Sequence, residues 1–281
     1  MTLPPESRIL WVEWALYANV VVGSVLGGIA VLWVVGGYYH LRYYVRRRHE
    51  PETWKLQPGR MPTAKQQRRA MVLSTTNLAI GGLLTGNLIF FVMTGALKTP
   101  VYDDVSDYGW IWTLASVPVL FFLIDGIAYY VHRFLHIRPM YRRFHRVHHR
   151  WGAPTPWVVI AVHPVEFLIL QAATFVPLFV LPFHFMVVIA VLVYVLAFNI
   201  VDHSGVRLTS VWPWQGPSAY HDDHHVHFHV NFGQHLTFFD RIHGTLRRHK
   251  RSYGADTFGG KGAPTSLAVD GESAPEFVEY R

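Results

Sequence analysis

The 281-residue chain contains no cysteine, which excludes disulfides, iron–sulfur clusters and thiolate zinc sites and leaves histidine and carboxylate as metal ligands. It is also poor in charge: 15% of residues are charged against 51% hydrophobic, and the mean hydropathy is +0.19. That is far more apolar than a soluble domain of this size, so an integral membrane protein is expected. HExxH and HxxEH are absent, which removes the base a zinc protease would use, and no catalytic serine motif of the hydrolases is present. Acidic residues are outnumbered, 18 against 25 Lys and Arg, for a formal net charge of +7. The arginines cluster beside long apolar runs rather than along a soluble basic face, so no nucleic-acid partner is expected. No cleavable signal peptide is expected either, because the first apolar run, starting near Ile9, has no basic region before it.

The apolar runs lie roughly at 9–39, 71–97, 110–131 and 157–201. The last must fold back near Pro182, so the expected fold is all-α, with four or five transmembrane helices and a helical histidine-rich cap. Residues 42–69 carry nine Lys and Arg, whereas Lys98 to Gly109 hold one Lys and three Asp. The positive-inside rule then makes the first loop and the histidine cap cytoplasmic. Gly23, Gly27 and Gly28 in the first run suit close helix packing. We read residues 1–251 as one membrane-embedded domain, with its motifs in 120–248, and 252–281, rich in Gly, Ser, Ala and acidic residues, as a flexible tail.

What is abundant is histidine. Thirteen of the 18 fall in residues 132–149 and 221–249. They read HxxxH (His132, His136), then HxxHH (His145, His148, His149), then HxxHH again (His221, His224, His225). Residues three and four apart share a helix face, so the boxes can converge on metal. Eight imidazoles are too many for one tetrahedral zinc with an open position, and two first-row transition metals are the simpler account. His203, in the run Asn199–Gly205 after the last span, is placed to add a ninth ligand. On the third span Asp125, Tyr129, His132 and His136 are spaced 4, 3 and 4. A carboxylate at that depth is a functional candidate. Asp125 is expected to orient a ligand ring through its second nitrogen, with His163 as another supporting residue. His40, His49, His184 and His249 read as interfacial or solvated, and His227, His229, His235 and His243 as flanking residues outside the ligand register. Trp212, Trp214 and Tyr220 are placed to line a lipid-facing entrance.

These motifs are similar to those of the membrane fatty acid hydroxylase and sterol desaturase superfamily, whose mark is this succession of three boxes. HRVHHRWGAPTPW, AVHPVEF and HDDHHVHFHVNFGQHLTFFDRIHGT resemble the sterol C-5 desaturase branch, while NFG, DRIHGT and WKLQPG also resemble sterol methyl oxidases. The resemblance implies a non-haem diiron centre, which zinc can occupy in preparations, with dioxygen as co-substrate and lipid drawn from the bilayer. The ligands it implies are His132, His136, His145, His148, His149, His203, His221, His224 and His225; Asn199 stands where some relatives carry a tenth. Electrons would come from an external donor such as cytochrome b5 or a ferredoxin. The host membrane would be the endoplasmic reticulum in a eukaryote or the inner membrane in a bacterium. The expected function is desaturation or hydroxylation of a lipid, a sterol first, with fatty acid or sphingolipid hydroxylation and sterol methyl oxidation as alternatives. A haem-b electron-transfer protein and a metal transporter are the competing classes; a Soret band or vesicle metal uptake would favour them.

Overall fold

A computed structural model of the chain describes residues 5–210 and 216–247. The expected tail, Trp212, Trp214 and His249 lie outside those residues. Four described helices are long and apolar enough to cross a membrane: Glu13–Val45, Ala64–Met93, Gly109–Leu135 and Phe185–Asp202. The chain is an all-helical integral membrane protein. Its helix starts follow local chemistry. Thr63 and Gln66 form a capping box at the second span, each side chain meeting the other's backbone N–H. His184 caps the fourth, its Nδ1 accepting from Met186 N at 3.2 Å.

The first two spans pack tightly, and of the three glycines expected to face the partner only Gly28 does, where a Cβ would stand 3.5 Å from Leu78. A Cβ on Gly82 or Gly86 would lie 2.5 and 2.6 Å from the Cα atoms of Val25 and Val21, whereas Gly23 and Gly27 have nothing within 4 Å. The small residues that permit close approach therefore sit on the second span. Sequence shows small residues four apart on both helices; only the contact tells which set faces the partner.

The run 157–201 also resolves differently from two full crossings. It holds a shorter apolar helix, Pro164–Phe179, which at ~1.5 Å per residue extends about 24 Å, less than the ~30 Å of hydrocarbon. The spans number four. Before this half-helix, residues 151–163 are irregular and include Gly152, Pro154 and Pro156. Their carbonyls would be orphaned beside lipid, and polar groups of the second span satisfy them. Ser74 Oγ donates to Trp157 O at 2.6 Å, and Asn77 Nδ2 donates to Ile160 O and Val162 O at 2.9 and 3.0 Å. The first span passes through π-helical stretches at Leu32–Gly36 and His40–Val45, and Gly36 lies against the Trp157 ring. The C-terminal ends of the first, third and fourth spans and the start of the second thus meet at one end of the bundle.

Candidate metal centre

Nine buried imidazoles gather at that end in two groups, His132, His136, His145, His149 and His224, and His148, His203, His221 and His225. Within each group the candidate ligand atoms lie within 4.8 Å of one another. His132 and His136 end the third span, the second box is a 3-10 turn, His145–Arg150, and the third lies on the helix Ser218–His227. His203 caps the fourth span.

The boxes do not each serve one centre. In both HxxHH boxes the outer pair, His145 with His149 and His221 with His225, stays together, while His148 and His224 cross to the other group. Successive residues point in different directions around a helical axis, and on the α-helix of the third box positions four apart nearly align. The doublets His148–His149 and His224–His225 therefore straddle the two groups.

The ring nitrogens suit cations. His149 Nε2 lies 3.2, 3.1 and 3.2 Å from the Nε2 atoms of His136, His145 and His224. His203 Nε2 lies 3.3 and 2.9 Å from those of His148 and His221. An imidazole nitrogen offers one proton or one lone pair, so at most one of the three contacts around His149 can be a well-formed hydrogen bond. A shared cation removes that conflict. With ligand bonds of ~2.1 Å, neighbouring nitrogens fall about 3.0 to 3.4 Å apart, which matches these separations.

Backbone acceptors fix several tautomers. The Nδ1 atoms of His132, His224 and His203 lie 2.8, 2.8 and 2.7 Å from the carbonyls of Phe232, Val230 and Asn199. A carbonyl only accepts, so Nδ1 holds the proton and Nε2 presents its lone pair. Desolvation lowers the ring pKa values: His145 to about 3 and His203 to about 4, with His136, His148, His149, His221, His224 and His225 also lowered by burial and neighbouring rings. Neutral imidazole is the ligating form.

The supporting residues differ from those expected. Asp125 does not touch a ligand ring. Its carboxylate accepts the backbone N–H of His235 at 2.9 Å and of Leu236 at 3.3 Å, anchoring the loop whose Phe232 carbonyl meets His132. His163 is half-buried and caps the half-helix, its Nδ1 accepting from Val165 N at 3.2 Å. The carboxylate on a ligand ring is Glu166, 2.6 Å from His145 Nδ1. An acidic residue inside an apolar run was the signal available for it.

Asp240 was not singled out either. It accepts from Phe232 N at 3.0 Å, Gly233 N at 2.7 Å, Thr245 Oγ1 at 2.6 Å and the Tyr220 hydroxyl. Gly233 leaves no room for a Cβ, which would stand 2.4 Å from Leu236 O. These contacts explain the NFG and DRIHGT runs. Tyr220 is accordingly 1% exposed and does not face lipid. Asn199 turns its amide to Gln234, donating from Nδ2 at 3.1 Å. His40, His184, His227, His229, His235 and His243 stand outside both groups as well. Of these His235 is buried, between Phe121 and Tyr194 and 3.9 Å from Asp202.

Fold and site define a membrane-embedded polyhistidine protein with a double ligand set at one end of its bundle. Residues 117–245 match the family described as fatty acid hydroxylase, an iron-dependent family, and the sequence is similar to lathosterol oxidases and Delta(7)-sterol 5(6)-desaturases. It is 34% identical to the lathosterol oxidase of Mus musculus over 201 residues, covering 70% of this chain and 64% of the relative. The lathosterol oxidase of Homo sapiens is 31% identical over the same shares of each chain. A Delta(7)-sterol 5(6)-desaturase of Schizosaccharomyces pombe is 33% identical over 147 residues, 52% of this chain and 49% of the relative. The chain thus spans just under two thirds of the lathosterol oxidases it matches. No solved structure matches.

Proposed function

We propose that the chain is a membrane-bound non-haem diiron oxidase that desaturates a sterol or closely related lipid with dioxygen. The observation that carries this reading is the double imidazole set, buried, neutral and with lone pairs already directed inward. His132, His136, His145, His149 and His224 would hold one metal ion, and His148, His203, His221 and His225 the other. A bound iron pair supplies dioxygen activation and removal of hydrogen from an unactivated carbon. The protein's part is to fix ring orientation through Phe232, Val230, Asn199 and Glu166, and to keep bulk water away through burial. The names of the relatives support a sterol as substrate and C-5 desaturation as the reaction.

Exposed apolar side chains on the third and fourth spans, among them Leu114, Phe122, Ile189 and Val193, suit entry of lipid from the bilayer. The arginines of residues 42–69 and 133–150 favour a cytoplasmic site and an acidic external donor of the cytochrome b5 or ferredoxin kind. A transporter would need ligands deep within several spans; here they cluster at span ends. Lipid mass spectrometry of cells with and without the gene tests the proposal. Loss of two hydrogens from a sterol is the expected change; gain of one oxygen would favour hydroxylation, and an unchanged lipid profile would oppose both.

A further inference from the structure

We propose that residues 51–57 form a strap that governs metal occupancy of the four-histidine group selectively, with Gln57 as its positioning residue. This rests on the reading that each histidine group holds one metal ion.

The two groups are braced by different parts of the chain. In the five-histidine group, Glu166 meets His145, Phe232 O meets His132 and Val230 O meets His224. In the four-histidine group Asn199 O meets His203. The buried Nδ1 atom of His148 has no hydrogen-bond partner, and neither do those of His136 and His149 in the five-histidine group. Placement of the four-histidine rings depends on the backbone segments that carry them.

Those segments are tied to the strap. Gln57 Nε2 donates to Gly152 O at 2.8 Å, just beyond the second box, and to Asp222 Oδ1 at 3.0 Å, beside His221. A primary amide has two N–H donors, and these two acceptors use both. Leu56 N donates to Gly205 O at 2.9 Å and Arg207 N to Trp54 O at 2.7 Å, so the strap pairs with the chain just after His203. Lys55, 1% exposed, lies over the Tyr44 ring, and Tyr44 donates its hydroxyl proton to Ser204 O at 2.7 Å. The second box, the His203 turn and the third box therefore converge on one short segment. That segment lies outside residues 117–245, where the family match falls.

Selectivity follows from which segments the strap holds. His148, His203, His221 and His225 all lie on segments tied to it, whereas His132 and His136 end the third span. His145 and His224, carried on the tied segments, keep the braces from Glu166 and Val230 O.

The test is metal content per chain by elemental analysis, with Mössbauer spectroscopy on iron-loaded protein. The wild type is expected to hold two metals and Gln57→Leu one, with unchanged helix content. Gln57→Lys, which restores N–H donors toward both acceptors, is expected to recover the second metal. Should Gln57→Leu not fold, Gln57→Asn reads the same effect as a weaker second binding step at unchanged first-site affinity. Two metals in Gln57→Leu, parallel loss of both, or a Gln57→Lys variant no better than Gln57→Leu would overturn the proposal. A wild-type chain that does not bind two metals would instead contradict the diiron reading beneath it.

Discussion

Replacing Glu166 is expected to weaken metal binding although the residue is not itself a ligand. Its Oε1 lies 2.6 Å from His145 Nδ1, with side chains 1% and 3% exposed, so no water can replace the lost acceptor. A cation on Nε2 strengthens the Nδ1–H donor, and removing an outer partner of this kind costs 10- to 100-fold in affinity. Glu166→Ala should fall near the upper end, about 2.7 kcal/mol, because it leaves a buried N–H unpaired. Glu166→Gln keeps an acceptor without the charge and should lose roughly tenfold. Chelator competition on purified iron-loaded protein measures both, and the loss should appear in one of two binding steps. His163→Ala, whose ring caps the half-helix and packs on Phe144, should leave both steps far less changed than Glu166→Ala. Wild-type affinity in Glu166→Ala together with metal loss in His163→Ala would refute the assignment.

Three further outcomes follow from the same contacts. Gly82→Leu drives a side chain into the Val25 backbone, 2.5 Å from the would-be Cβ, and should destabilise by about 1–3 kcal/mol or more; Gly27→Ala should be near neutral, both read by thermal unfolding in detergent. Asp240→Ala strips acceptors from Phe232, Gly233, Thr245 and Tyr220 and should cost about 3–5 kcal/mol, a scale set by breaking buried charged networks. It should also reduce iron content, since Phe232 O then loses its hold on His132. Metal-free protein should lose stability as pH falls below about 6.5, because His145 and His203 titrate near 3 and 4 when folded and near 6.5 when unfolded. Between those limits the unfolded chain binds more protons, at roughly 1.4 kcal/mol per pH unit for each ring. Thermal unfolding at pH 7 and pH 5 checks the sign; greater stability at pH 5 would contradict it.

The spans and the nine histidines were legible in the sequence because both are local: long apolar runs fix the spans, and spacings of three and four bring rings to helix ends. Allocation of the rings was not. His148 and His149 are neighbours in the chain but belong to different groups, and only the facing boxes decide that. Asp125 drew notice as a carboxylate on the helix of the first box, yet its acceptors meet the loop at His235 and Leu236. Glu166, 21 residues from His145, reaches the ring because residues 151–163 turn back under Ser74 and Asn77. Two of the three expected packing glycines, Gly23 and Gly27, were misplaced for the same reason. Gly27 and Gly82 sit in similar apolar patterns, and only the helix crossing tells which one touches a partner. Gln57 carried no periodic signal and gains its position from two distant segments, at Gly152 and Asp222.

The most direct test of the account is metal stoichiometry in the purified wild-type protein, by elemental analysis and Mössbauer spectroscopy after iron loading. Two high-spin non-haem irons per chain, without a Soret band, are expected, and His136→Ala and His225→Ala should each lose one preferentially. A single metal, a haem spectrum, or two metals retained in both variants would contradict the diiron assignment.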